Sequence, residues 1–137
     1  MPRALAVDLG SRRIGIAISD DKGKVATPYA TLDRTSDEYD VQAIAEIANA
    51  EGAAHVIVGL PLSLDGTRGH AAAVSETFAE KLKNAGVKVK LWDERMTTIE
   101  ASKKLKGRGM SNKKARTVVD KMAATVLLQS FLDSKKR

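Results

Sequence analysis

The sequence predicts an α/β protein built on a single mixed sheet of five strands, with helices on both faces. Two observations carry this. The first 32 residues alternate apolar and small or polar residues in three short runs with no room for a helix between them. From there to the end, helical patterns and apolar strand-like runs take turns. Three strands in an antiparallel meander followed by β-α units give a mixed sheet. At 137 residues, the chain is expected to form one domain over 1–137, with 134–137 a frayed basic tail.

Each element has its own signal. Ala4 to Val7 is a buried strand ending at Asp8, with Gly10 just beyond. Ile14, Ile16 and Ile18 alternate with Gly15, Ala17 and Ser19 in the second strand. Asp20 to Gly23 is a turn, and Val25 to Leu32 a third strand, placed at an edge because Pro28 has no amide to donate. Thr35 and Glu38 have capping-box spacing ahead of Val41, Ile44, Ala45 and Ala48. Gly52 stops that helix. Ala54 to Leu60 is apolar almost throughout, as a strand buried on both faces should be.

After a loop from Pro61 to Gly69, Val74, Phe78 and Leu82 mark a second helix closed by Gly86. Val87, Val89 and Leu91 alternate with Lys88, Lys90 and Trp92 in a fifth strand that runs out at Asp93-Glu94-Arg95. Thr97 and Glu100 repeat the capping-box spacing for a short helix to about Lys106, followed by a glycine-rich basic loop over 107–112. The last helix is expected over about 113–133, with Val119, Met122, Ala123, Val126 and Leu127 on its apolar face.

Composition narrows the function classes. There is no cysteine, which excludes disulfides and thiolate metal sites and suits a reducing cytoplasm. No apolar run approaches the roughly 20 residues of a membrane span, and the N-terminus passes straight into a strand, so a cytoplasmic protein is expected. The net charge of +6 is unevenly spread: 103–137 holds eleven Lys/Arg against two acids, a balance of +9, and the remainder stands at −3. A polyanion-binding face and a solvated lysine-rich surface both have this signature. Gly59 to Gly66 is no phosphate loop, because no Gly-Lys-Ser/Thr follows. His55 and His70 lack zinc-ligand spacing, and Ser63 and Thr67 lack a histidine base.

Four acids stand where the topology could gather them: Asp8 at the end of the first strand, Asp93 and Glu94 at the end of the fifth, Asp120 early in the last helix. Sites in α/β sheets form beyond the strand ends. Ala4 and Ala6 share the parity of Asp8, and Ala123 and Ala124 lie one turn after Asp120, so the helix has small residues with which to approach the sheet. Clustered carboxylates repel one another unless a cation neutralises them. Oxygen ligands suit Mg²⁺ or Mn²⁺, and a pair of such ions serves phosphodiester hydrolysis. Each acid also has an ordinary reading as a turn former, surface ion pair or exposed helix acid. Arg12, Arg13, Arg95, Arg108, Lys113, Lys114 and Arg116 are the candidate phosphate contacts.

Four motifs, in order along nearly the whole chain, resemble the YqgF/RuvX family. They are Val7-Asp8-Leu9-Gly10-Ser11-Arg12-Arg13-Ile14-Gly15-Ile16-Ala17, then Ile57-Val58-Gly59-Leu60-Pro61 with Asp65-Gly66. The third is Asp93-Glu94-Arg95-Met96-Thr97-Thr98 with Glu100-Ala101, and the fourth is Asp120 ahead of Ala123-Ala124 and Leu127-Leu128-Gln129. The resemblance implies a ribonuclease H-like fold related to the Holliday-junction resolvase RuvC. It also implies a bacterial nuclease linked to 5′-end maturation of pre-16S rRNA, with resolution of branched DNA as the alternative. Under it, Asp8, one of Asp93 and Glu94, and Asp120 become metal ligands. Strand parity puts Asp93 with Val87, Val89 and Leu91, while the longer Glu94 could reach from the other side. Less favoured are a non-catalytic nucleic-acid-binding module, which would not need four acids, and an actin-like ATP-binding domain, which needs two such domains.

If the basic carboxyl-terminal third holds nucleic acid, replacing Lys113, Lys114 and Arg116 together by Gln weakens binding. It also flattens the dependence of log Kd on log salt by roughly two to three units. Fluorescence anisotropy across a salt series measures this, and an unchanged slope would contradict it.

Overall fold

The computed structural model describes residues 3–63, 65–94 and 112–135, and of 112–121 the backbone alone. Eight elements follow one another: β1 (Arg3–Leu9), β2 (Arg13–Ser19), β3 (Ala26–Asp33), α1 (Asp37–Ala50), β4 (Ala53–Leu60), α2 (His70–Asn84), β5 (Val89–Asp93) and α3 (Asn112–Ser134). The expected short helix over 97–106 and residues 107–111 of the loop expected over 107–112 fall outside the described residues, and Asn112 is already the first residue of α3. The sheet order is β3-β2-β1-β4-β5, with β1 antiparallel to β2 and parallel to β4. The meander, the mixed sheet and the edge position of β3 are all as expected. Pro28 sits opposite Ala17, where the β2–β3 register slips.

Alternation along the strands sorts side chains onto two unlike faces. Leu5, Val7, Ile14, Ile16, Val56 and Val58 meet Val41, Ile44, Phe78 and Leu82 of α1 and α2 in the larger core. The opposite face is a floor of small residues, Ala4, Ala6, Ala17 and Ala26 with Ile57, under Ala124, Leu127, Leu128, Phe131 and Leu132 of α3. Small residues let the helix seat close to the strands. Gln129 fixes it in place by accepting from the Ala26 amide and donating to the Lys24 carbonyl, both at 2.9 Å. At the far side Trp92 meets Phe131 edge-on, with centroids 5.3 Å apart. Among the described residues no helix is long and apolar enough to cross a membrane.

Several boundaries lie a residue or two from expectation, and two of them, the starts of α1 and β5, have a visible cause. The cap of α1 is Ser36, whose side chain accepts from the Tyr39 amide. Thr35 is engaged elsewhere, donating its hydroxyl to Asp40 at 2.8 Å. The fifth strand starts at Val89 because the Lys88 carbonyl is the first to pair, accepting from Val56.

Arg34 then ties α1 to the end of β1. Its Nε donates to buried Asp40 at 2.9 Å, one terminal nitrogen to Asp37 and the other to the Gly10 carbonyl at 3.1 Å. Gly10 itself closes the β1–β2 turn by donating to the Arg13 carbonyl. A Cβ there would lie 2.7 Å from that oxygen. Asp40→Ala leaves Arg34 with Asp37 as its remaining acid, and should lower unfolding stability by about 2 kcal/mol, below the usual cost of breaking a buried pair. Urea denaturation reads this directly. A wild-type midpoint would show that the bridge contributes nothing net.

Candidate active site

Asp8 projects from β1 on the same side as Ala4 and Ala6, toward the face that α3 covers, with Gly15 of β2 as its register partner. Glu94 follows the last residue of β5 and has the parity of Trp92, so it points to that same face. Asp93 has the parity of Val89 and Leu91, which pack against the α1/α2 core. The parity argument leaves the choice between the two acids open; the Glu94 carboxyl is the one whose titration responds to a hydrogen bond with Asp8 and to its charge.

The two acids belong to strands that are not neighbours. β4 lies between β1 and β5, so roughly 10 Å separates the two strand axes. Glu94 spans the gap by lying flat over Gly59 of β4. A Cβ built on Gly59 would stand 2.8 Å from Glu94 Cδ and 2.9 Å from its Cγ.

Burial first, then the hydrogen bond and charge of Asp8, then the charge of Asp93, push the Glu94 carboxyl up to about 9. One proton shared by the pair is what relieves two carboxylates held in contact. A divalent cation relieves the same repulsion, and an all-oxygen donor set of this kind suits Mg²⁺ or Mn²⁺. Among the described residues no group of three or more His, Asp or Glu closes around a cation position. The third expected ligand, Asp120, lies on α3, the helix over this face, and its side chain is outside the described residues.

The β1–β2 turn brings Arg12, exposed, and Arg13, half-buried, to the same end of the sheet as Asp8. Arg95 and Arg108, and the side chains of Lys113, Lys114 and Arg116, fall outside the described residues. A cavity of about 360 Å³ also opens at this end, lined by Leu9, Ser11, Arg34, His70 and Val74, but on the α1/α2 side and without either acid. Two contributors were not expected from the sequence, Gly59 and Arg34. Gly59 had a signal available, since a glycine inside an apolar strand marks close approach of another group. For Arg34 the nearby acids Asp37 and Asp40 are legible in the sequence, but its bond to the Gly10 carbonyl, 24 residues away, is set by tertiary contact.

A five-stranded sheet in this order, with helices on both faces, is a ribonuclease H-like fold. The chain belongs to the RuvX family, described as Holliday junction resolvase, whose model matches residues 2–134. A Myxococcus xanthus protein named "Putative pre-16S rRNA nuclease" is 40% identical over 135 residues, covering 98% of this chain and 89% of that one. Among solved structures, Thermus thermophilus RuvC in complex with a Holliday junction substrate superposes with a TM-score of 0.56 at 14% identity, covering 99% of this chain and 97% of that one. The fowlpox virus Holliday junction resolvase gives 0.58 at 15% identity, covering 96% and 99%.

The raised Glu94 value carries a stability consequence. Between the ordinary 4.5 and about 9 the native state holds a proton that the unfolded chain has released. Metal-free stability should therefore fall as pH rises through that window. Glu94→Gln removes this contribution. Thermal unfolding in chelator from pH 5 to 9 should show a steeper decline for wild type than for the variant, and parallel curves would contradict the assignment.

Proposed function

We propose that this protein is a divalent-metal-dependent nuclease of the cytoplasm that hydrolyses RNA phosphodiesters in 5′-end processing of pre-16S rRNA. The observation that carries the proposal is the convergence of Asp8 and Glu94 across β4, with α3 and its Asp120 over the same face. In this reading Asp8, Glu94 and Asp120 hold Mg²⁺ or Mn²⁺, two ions in the working site. Asp93 stands behind Glu94 and adds negative charge to it. When bound, such ions activate the attacking water and stabilise the leaving oxygen.

The chain's own side chains do the rest. Asp8 and Glu94 would both serve as carboxylate acceptors toward a bound cation, whose charge would relieve their mutual repulsion. Arg12 and Arg13 hold substrate phosphates at the open end of the sheet. Arg95, Arg108, Lys113, Lys114 and Arg116 extend that contact along the polyanion. The RNA assignment is supported by the names of relatives about 40% identical over nearly the full chain.

The family's description and the likeness to RuvC favour a second reading, cleavage of four-way DNA junctions. Matched RNA, single-stranded DNA and junction substrates, each with Mg²⁺ or Mn²⁺, distinguish the two. Preferential cutting of structured RNA is expected, and junction-only cutting would overturn the RNA assignment.

Asp8→Asn keeps the side chain's size and removes its charge. Turnover should fall by roughly 10³-fold or more, while binding in chelator stays the same or tightens slightly. Wild-type cleavage by Asp8→Asn would show that the carboxylate site is misassigned.

A further inference from the structure

We infer that Gly59 is a positioning residue for the acid pair: its missing side chain is the slot through which Glu94 crosses β4 to reach Asp8. The inference rests on the site proposed above and extends it to a residue with no chemistry of its own.

Three observations lead to it. Gly59 is not needed for backbone freedom, since among the described residues the glycines with positive φ are Gly23, Gly52, Gly66 and Gly86. It lies in a regular part of β4, paired in register with Trp92 of β5. The groups that a Cβ at this position would meet are Cδ, Cγ and Oε1 of Glu94, at 2.8, 2.9 and 3.0 Å. Real Cβ atoms do not approach heavy atoms that closely, so a side chain at 59 and the observed Glu94 position exclude each other.

What would move decides the consequence. The obstructed group is the far end of a flexible side chain, not backbone. Gly59→Ala is therefore accommodated by swinging Glu94 away, with the strand left in place. Alanine is also at least as well suited to a strand as glycine, which loses more backbone freedom on folding. The fold survives and the acid pair does not. Asp93 cannot substitute, because its parity turns it to the α1/α2 face.

The slot also explains why the crossing residue is a glutamate. The two strand axes are roughly 10 Å apart, and Asp8 can reach only part of that distance. An aspartate at position 94 would fall about one methylene short. Length at 94 and absence of a side chain at 59 are two halves of one arrangement.

The experiment is a double-mutant cycle on Gly59→Ala, Glu94→Ala and the combined variant. Its readouts are thermal unfolding, Mn²⁺ affinity by isothermal titration, and kcat and KM for a labelled RNA hairpin. Gly59→Ala should melt near wild type, bind Mn²⁺ at least tenfold more weakly and lose kcat with KM little changed. Added to Glu94→Ala it should change nothing further, because the obstructed side chain is gone.

Wild-type Mn²⁺ affinity in Gly59→Ala would overturn the inference. So would an equal loss from Gly59→Ala in both backgrounds, which would mean action through the backbone. Should Gly59→Ala fail to fold, a folded combined variant supports the inference and an unfolded one overturns it. Glu94→Gln separates this from the underlying site: wild-type affinity and turnover there would remove the site itself, whatever Gly59 does.

Discussion

Two carboxylates in contact inside a protein repel as soon as both ionise, and here they come from strands with another strand between them. Meeting at all takes a long side chain on one side, a bare backbone beneath, and a floor flat enough for a carboxylate to lie on. Glu94, Gly59 and the position of Asp8 supply those conditions. The contact makes sense energetically only with a proton or a cation between the oxygens.

The rest of the fold divides its work around this contact. The α1/α2 face is packed with Leu, Ile, Val and Phe and anchors the sheet. The α3 face gives up that bulk for alanines, which lets a helix sit close but leaves less apolar area to hold it. Gln129 and Trp92 compensate as directional contacts, one tying α3 to the β3 edge and the other to β5. On the opposite side, the Arg34 bridge to Asp40 and the Gly10 carbonyl braces the turn that follows Asp8. Stability thus lies mainly on one side of the sheet and the candidate chemistry on the other.

Much of this is legible in the sequence, where local periodicity is decisive. Ile14, Ile16 and Ile18 mark β2, Pro28 marks an edge, and the shared parity of Ala4, Ala6 and Asp8 points to the face that α3 covers. The parity split between Asp93 and Glu94 is legible too, though not which of them reaches Asp8. That depends on β4 lying between the two strands and on Gly59 leaving the crossing open, both consequences of tertiary order. The α1 cap shows the same limit. Thr35 has the right spacing, but its hydroxyl is drawn to Asp40, and Ser36 takes the role.

The central claim is that Asp8 and Glu94 form one half of a cation site whose other half is on α3. Anomalous diffraction from crystals soaked in Mn²⁺ tests it most directly. The account predicts an ordered Mn²⁺ peak within coordination distance of Asp8 and Glu94, with Asp120 completing the protein ligands. A saturated crystal with no peak between those two carboxylates, or with manganese ordered elsewhere, would contradict it.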